Sequence, residues 1–182
     1  MPNWCSSDLT VSALPKTKEE RKSFPGILKR FINNAKGERG CLDMNKFIPY
    51  PDEYAVADKK AYAVRNEWDS LSKEERDKTP YPKVEDGFNH GGYEWCLSNW
   101  GSKWNFSDPE LLEQSKLKAI YRFETPWSPP ARIIFKMSEM FPQLEFELKY
   151  YEAGMAFQGT FAVKNGIVVK DKTMKYNGGR GG

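Results

Sequence analysis

The side chains able to do covalent or metal chemistry are few and badly spaced for it. His90 is the sole histidine, and Cys5, Cys41 and Cys96 lie far apart with no CxxC pair. A zinc site wants four nitrogen or sulfur ligands, usually in two close pairs. Cys96 and His90 can share a turn, but nothing supplies the second pair, so we expect no metal and no cofactor. The thiols are expected to be reduced and to pack as small hydrophobes. A Cys–His nucleophile would have to use the same two residues, which need not face each other if Tyr93–Asn99 is helical. No GxGxxG, GxxxxGKS/T or GxSxG motif occurs, and Gly37 and Gly40 have neither phosphate-loop spacing. Glu145 and Glu147, two apart on one strand face, read as a charged sheet edge. No catalytic residue is expected, and the chain reads as a non-enzyme.

What the sequence does concentrate is aromatic rings. The stretch GGYEWCLSNWGSKWNF holds Tyr93, Trp95, Trp100 and Trp104, and Trp127 follows in a second block. In one reading the rings staple an insertion onto a core, since a tryptophan buries its ring and gives its indole N–H one partner. In the other they and nearby cations wall a groove for a base, nucleotide or peptide, where stacking is worth ~1–3 kcal/mol per base. Packing is the favoured reading for most of the rings. A specific site, if present, is expected where segment 93–104 meets Trp127-Ser128. Its candidate residues are His90, Tyr93, Trp100, Lys103, Trp104, Arg122, Trp127 and Ser128. Ser128 reads as an N-cap with Pro129 at the first helical position, offering free N–H donors to an anion.

The elements that must hold these residues follow from periodicity. Leu9–Ala13 alternates as a first strand, and Thr17 with Glu20 forms a capping box for a helix. Pro25 is expected to interrupt that helix before a second stretch with Ile27, Leu28, Phe31 and Ile32 on one stripe. Residues 42–100 read as an insertion, with an extended Phe47–Pro51. Within it, a helix over 53–71 carries one buried stripe of Tyr54, Ala57, Ala61, Val64, Trp68 and Leu71. Ser72 with Glu75 caps a short helix. Leu117–Thr125 alternates as a strand, and a helix burying Ile133, Ile134, Met137 and Phe141 stops at Pro142. Leu144–Tyr150 alternates, as does Met155–Val163, and Asn165-Gly166 signals a hairpin. With a strand at Lys103–Ser107, the order is βα-insertion-ββαβ plus a C-terminal β-meander. That is an α+β, ferredoxin-like antiparallel sheet with helices on one face. A single domain is expected over 1–176, followed by a flexible Gly-rich tail at 177–182.

Composition narrows the setting. The chain has 182 residues, 39% hydrophobic, with 6 Trp, 9 Tyr and 11 Phe, an aromatic content that argues against disorder. Net charge is +3, unevenly spread: residues 16–40 and the stretch after Gly159 are basic, whereas 52–88 is acidic. No run approaches the ~18 apolar residues of a membrane span, and the first residues lack a basic start and apolar core. A cytoplasmic protein without membrane association is expected.

Several blocks together carry a resemblance. Met1–Cys5 with Leu9–Val11, Phe47–Pro51, Asn99–Trp104, Phe123–Pro130, and Tyr151–Gly154 with Phe157–Gly159 occur in order. They resemble the YubB-like family of plasmid, phage and bacterial proteins with a ferredoxin-like domain, over residues 1 to about 166. Ser7 and Ser102 depart from the Asn and Thr expected. The resemblance implies the fold and a mobile-element setting and transfers no catalytic residue.

The function expected is therefore that of a non-catalytic accessory binding protein of a phage or plasmid. It would hold a host or element macromolecule, foremost a protein, and antagonism of a host defence is among the roles this setting implies. The alternatives are a nucleic-acid-binding protein using the basic first helix and the aromatic segment, and a nucleotide or small-ligand binder. Sheet-face nucleic-acid readout is disfavoured, because the outward strand positions alternate Lys/Arg with Glu and offer only Tyr151 for stacking.

Overall fold

Alternation builds the strands, and its phase decides which face is buried. The computed structural model of the chain describes residues 3–38 and 40–179. In β1 (Trp4–Ala13), Cys5, Ser7, Leu9, Val11 and Ala13 share the buried face. The strand begins well before Leu9 because it pairs on both sides. It meets β3 (Lys118–Pro126) from Trp4 and β4 (Leu144–Glu152) from Ser6. With β2 (Ser107–Gln114), β5 (Phe157–Lys164) and β6 (Ile167–Lys175) they form one antiparallel sheet in the order β2-β3-β1-β4-β5-β6. The first four strands, with α1 (Lys18–Asn34) and α5 (Ala131–Met140), make the βαββαβ ferredoxin-like arrangement. The last two extend it as a meander. The fold is α+β.

The core lies between the sheet and these two helices. Phe31 sits at its centre, with its ring 5.2 Å from Phe141, 5.3 Å from Phe146, 5.8 Å from Phe47 and 6.3 Å from Tyr121. Three of these contacts are edge-on, the geometry aromatic quadrupoles favour. Ile133, Ile134 and Met137 of α5 are fully buried. The Thr17–Glu20 capping box forms as expected, and so does the one at Ser72–Glu75 that opens α3 (Lys73–Lys78).

Two elements differ from the sequence reading. Pro25 does not interrupt α1, which is continuous. The ring costs one backbone bond, but Phe24, Leu28, Phe31 and Ile32 are buried on either side of it and hold the helix together. The strand expected at Lys103–Ser107 begins only at Ser107. Asn105 Oδ1 accepts from the N–H groups of Met44 (3.0 Å) and Phe106 (2.8 Å). The Phe106 N–H therefore goes to a side chain instead of the ladder.

The chain divides into two compact units, Met1–Pro49 with Leu97–Gly182, and Tyr50–Cys96. The second holds α2 (Asp52–Asp69), α3, a π-type turn at Phe88–Gly92 and the start of α4 (Tyr93–Asn99). The apolar stripe expected on α2 is mostly half-buried: Ala61 alone is buried and Val64 is exposed. Within its unit this stripe meets a loop and one turn, not a sheet. Trp68 packs edge-on against Tyr81 at 5.0 Å and donates its indole N–H to the Thr79 carbonyl (3.1 Å). Among the described residues no helix is long and apolar enough to cross a membrane. Residues 180–182 of the expected tail, and Met1, Pro2 and Arg39, lie outside the described residues.

Candidate functional site

The tight segment after α4 handles its two tryptophans in opposite ways. Trp100 is buried, and its indole N–H donates to the Ile48 carbonyl at 2.8 Å. Its own carbonyl accepts from the Ile133 N–H in the first turn of α5 (3.2 Å). Trp100 is thus a packing residue that also satisfies an orphan donor of the helix end. Four residues on, Trp104 is 41% exposed. Its backbone is pinned by the buried Ser102, whose hydroxyl donates to the Trp104 carbonyl (2.8 Å) and accepts from the Trp104 N–H (3.4 Å). The ring leans on Trp4 with centroids 6.1 Å apart, and the Lys103 ammonium lies 4.0 Å from the ring centre. A cation over an indole face is attracted by the ring quadrupole.

Trp127 stands at the same end of the sheet. Trp4 pairs with Pro126, and the Trp127 N–H donates to the Asn3 carbonyl at 2.9 Å. Trp127 is 45% exposed and takes a left-handed backbone at φ 71°, an outlier for a bulky residue. The following residues correct an expectation. Ser128 is not an N-cap: α5 begins at Ala131 after Pro130, without a side-chain cap bond. Residues before proline avoid helical angles. The Pro129-Pro130 pair therefore pushes both Ser128 and Pro129 out of the helix. The Ser128 carbonyl instead accepts from the Thr125 hydroxyl (2.8 Å), and its N–H donates to the Pro126 carbonyl (2.9 Å). The anion-binding helix start expected at Ser128 is not formed.

The other candidates are placed elsewhere. Arg122 lies on the open sheet face and binds Asp8 across the β1–β3 pair in bidentate fashion, at 2.8 and 3.2 Å. Tyr151, the one ring expected on that face, stacks on Tyr176 at 5.4 Å with planes 12° apart. His90 and Tyr93 belong to the Tyr50–Cys96 unit. There the His90 Nδ1 lies 2.9 Å from the Asp86 carbonyl, and Tyr93 packs edge-on to Phe88 at 5.7 Å. Of the eight candidates, the structure brings Lys103, Trp104, Trp127 and Ser128 to one end of the sheet, and Trp4 joins them.

Sequence reasoning missed the polar network of that second unit. Asp86 is buried and accepts from the Asn89 backbone N–H (2.8 Å), the Asn89 amide (3.0 Å) and Arg65 (2.7 Å). The Asn89 N–H, then Arg65, hold its carboxyl below the usual range. Asp58 binds the Tyr50 hydroxyl and the Phe88 N–H in parallel. Also missed is a cavity of about 530 Å³ in the larger unit, lined by Cys41, Asp43, Asn45, Lys46 and Asn105 among others. Three of its polar residues bind one another, Asp43 Oδ1 accepting from Asn45 and, at 2.7 Å, from Asn105. Burial pushes the thiols of Cys5 and Cys96 up, to about 12 and about 11. Cys41 is half-buried, unlike the buried cysteine expected. Among the described residues no three His, Cys, Asp or Glu side chains converge as metal ligands.

Residues 99–178 match the family model described as a ferredoxin-like domain in Api92-like protein. That stretch runs from the end of α4 through β6 and contains the exposed tryptophans. Among solved structures, the chain is similar to a protein api92 from Yersinia pseudotuberculosis, known from a crystal structure. The identity is 11%, the coverage 98% of this chain and 99% of that one, and the TM-score 0.48. No curated protein matches the chain.

Proposed function

We propose that this chain is a non-catalytic binding protein of a mobile element, related to the YubB-like proteins it resembles. It acts by holding a protein partner from the host or the element, and its contact surface centres on Trp104 and Trp127. One observation carries this reading: two tryptophans are held half in solvent on backbones pinned by hydrogen bonds to neighbouring residues. Trp104 is clamped by Ser102, and Trp127 sits at φ 71° with its N–H on the Asn3 carbonyl and the Ser128 N–H closing back on the Pro126 carbonyl. Exposed indoles forfeit burial, and a non-glycine left-handed residue stores ~1–3 kcal/mol of strain. Tryptophan is also among the side chains enriched at binding hot spots. Rings fixed in advance lose little entropy on docking. Lys103 adds a cation beside one of them. A nucleic-acid partner is the second reading: on the open sheet face Arg122 and Tyr151 are engaged with Asp8 and Tyr176, which leaves phosphates to the basic first helix and bases to the aromatic segment.

The test compares the wild-type chain with a Trp104→Ala/Trp127→Ala double variant as bait in nuclease-treated bacterial host lysate. Equal melting temperatures and loss of a captured protein from the variant are expected. Capture unchanged in the variant would overturn the reading. So would binding to oligonucleotides that weakens linearly in log–log form with salt and is lost in the same variant.

A further inference from the structure

The two edges of the sheet are finished differently. At one, β2 is blunted by Pro109, by a left-handed Asp108 (φ 45°) and by two register shifts against β3. These are the devices by which proteins keep an edge from recruiting another strand. At the other edge β6 is paired with β5 alone and contains no proline. Its single register shift lies near the turn, after which pairing is regular from Lys170 to Lys175. Helix α5 packs on β4 and β5, and β6 is exposed along nearly its whole length. Ile167, Val168 and Val169 are 46–63% exposed. Val168 also borders a groove of about 420 Å³ whose apolar wall includes Phe135 and Phe161.

The charge on this edge says what fits it. Lys170, Lys172 and Lys175 face Asp171 as the strand's only acid. Among the described residues none of the three lysines is in an ion pair. Lys170 and Lys172 lie on the open face, in the rows of Ala162 and Thr160. The Lys172 row continues through Thr160 to Lys149. A second copy paired antiparallel about a two-fold centred on Asp171 fits badly, because Lys170 falls opposite Lys172 and like charges directly opposite are destabilising. A nucleic-acid backbone, which needs a continuous run of cations, fits little better, because Glu147 and Glu145 interrupt the rows of Lys170 and Lys164, whereas a peptide carboxylate needs only the lysine directly opposite it.

We propose that β6 is a strand-addition site for an extended acidic segment of a partner protein. The segment pairs its backbone with the free edge of β6, sets Asp or Glu at alternate positions against Lys172 and Lys170, and brings an apolar residue beside Val168. Main-chain bonds supply affinity in this mode, and alternate side chains supply specificity.

The probe is a capped ten-residue peptide alternating Glu with Thr and ending in Val-Ile, with a control in which Lys replaces Glu. Amide hydrogen exchange is followed at millimolar peptide. The Glu peptide is expected to protect the outward amides of β6, and the Lys peptide is not. In a Lys170→Glu/Lys172→Glu variant the preference should reverse, by about tenfold for two cross-strand pairs turned from attraction to repulsion. The Trp104→Ala/Trp127→Ala variant should bind the Glu peptide unchanged, so this site stands or falls apart from the tryptophan surface. The proposal is overturned by unprotected β6 amides, or by a preference that survives charge reversal. Protection of β6 by self-association, or by an oligonucleotide that displaces the peptide, overturns it equally.

Discussion

Trp100 and Trp127 are the same residue type in opposite surroundings, and substitution should separate them cleanly. Trp100 is buried with its indole N–H satisfied by Ile48. Trp100→Ala should therefore cost ~3–5 kcal/mol of stability, the usual range for a large aromatic lost from a core. Trp127 is nearly half exposed at φ 71°, a backbone that glycine adopts freely. Trp127→Gly removes the ring and the strain together, so stability should change by no more than about 1 kcal/mol. Denaturant unfolding of both variants checks this. Equal large losses would make Trp127 a core residue and remove it from the binding surface.

At the scale of elements, what was legible in the sequence is what is local. The capping boxes at Thr17–Glu20 and Ser72–Glu75 need four consecutive residues each, and both form. Asn165-Gly166 signals its turn, and both residues do take positive φ, 51° and 65°. Elements set by partners far along the chain were not legible. Residues 107–114, with Pro109 and no clean alternation, become a strand only because β3 pairs with them. Ser128 looked like a cap until the second proline, Pro130, is counted. Trp4 reaches the tryptophan surface through β1–β3 pairing, which no local pattern reveals. Gly159 has a similar long-range reason. The Tyr150 hydroxyl crosses it to bond Thr173 on β6 at 2.8 Å, and a Cβ there would collide with that hydroxyl and with the Lys172 carbonyl.

The Asp86 network belongs to this scale and gives a pH prediction. Its carboxyl is held low in the folded state by Asn89 and Arg65. Its stabilising contribution is therefore complete above the unfolded carboxylate range, near ~3.9. It is lost as pH falls through the lower folded value. The melting temperature of the wild-type chain should drop more steeply on acidification below pH ~4 than that of Asp86→Asn. Parallel acid limbs would show that the network does not link protonation to folding.

At the scale of the whole chain, the larger unit divides its labour. The ferredoxin-like core around Phe31 supplies rigidity. The end of the sheet that carries Trp4, Lys103, Trp104 and Trp127 is a rigid surface with exposed rings, while β6 leaves one edge open. Matched family sequence at 99–178 spans the exposed tryptophans and β6. On the function proposed above, the tryptophan end of the sheet contacts a protein. The direct measurement is cross-linking in bacterial cells with a photoreactive phenylalanine analogue in place of Trp104. One dominant cross-linked protein is expected, and it should disappear when Trp127→Ala is added. Cross-linking to nucleic acid, or a protein adduct indifferent to Trp127→Ala, would contradict it.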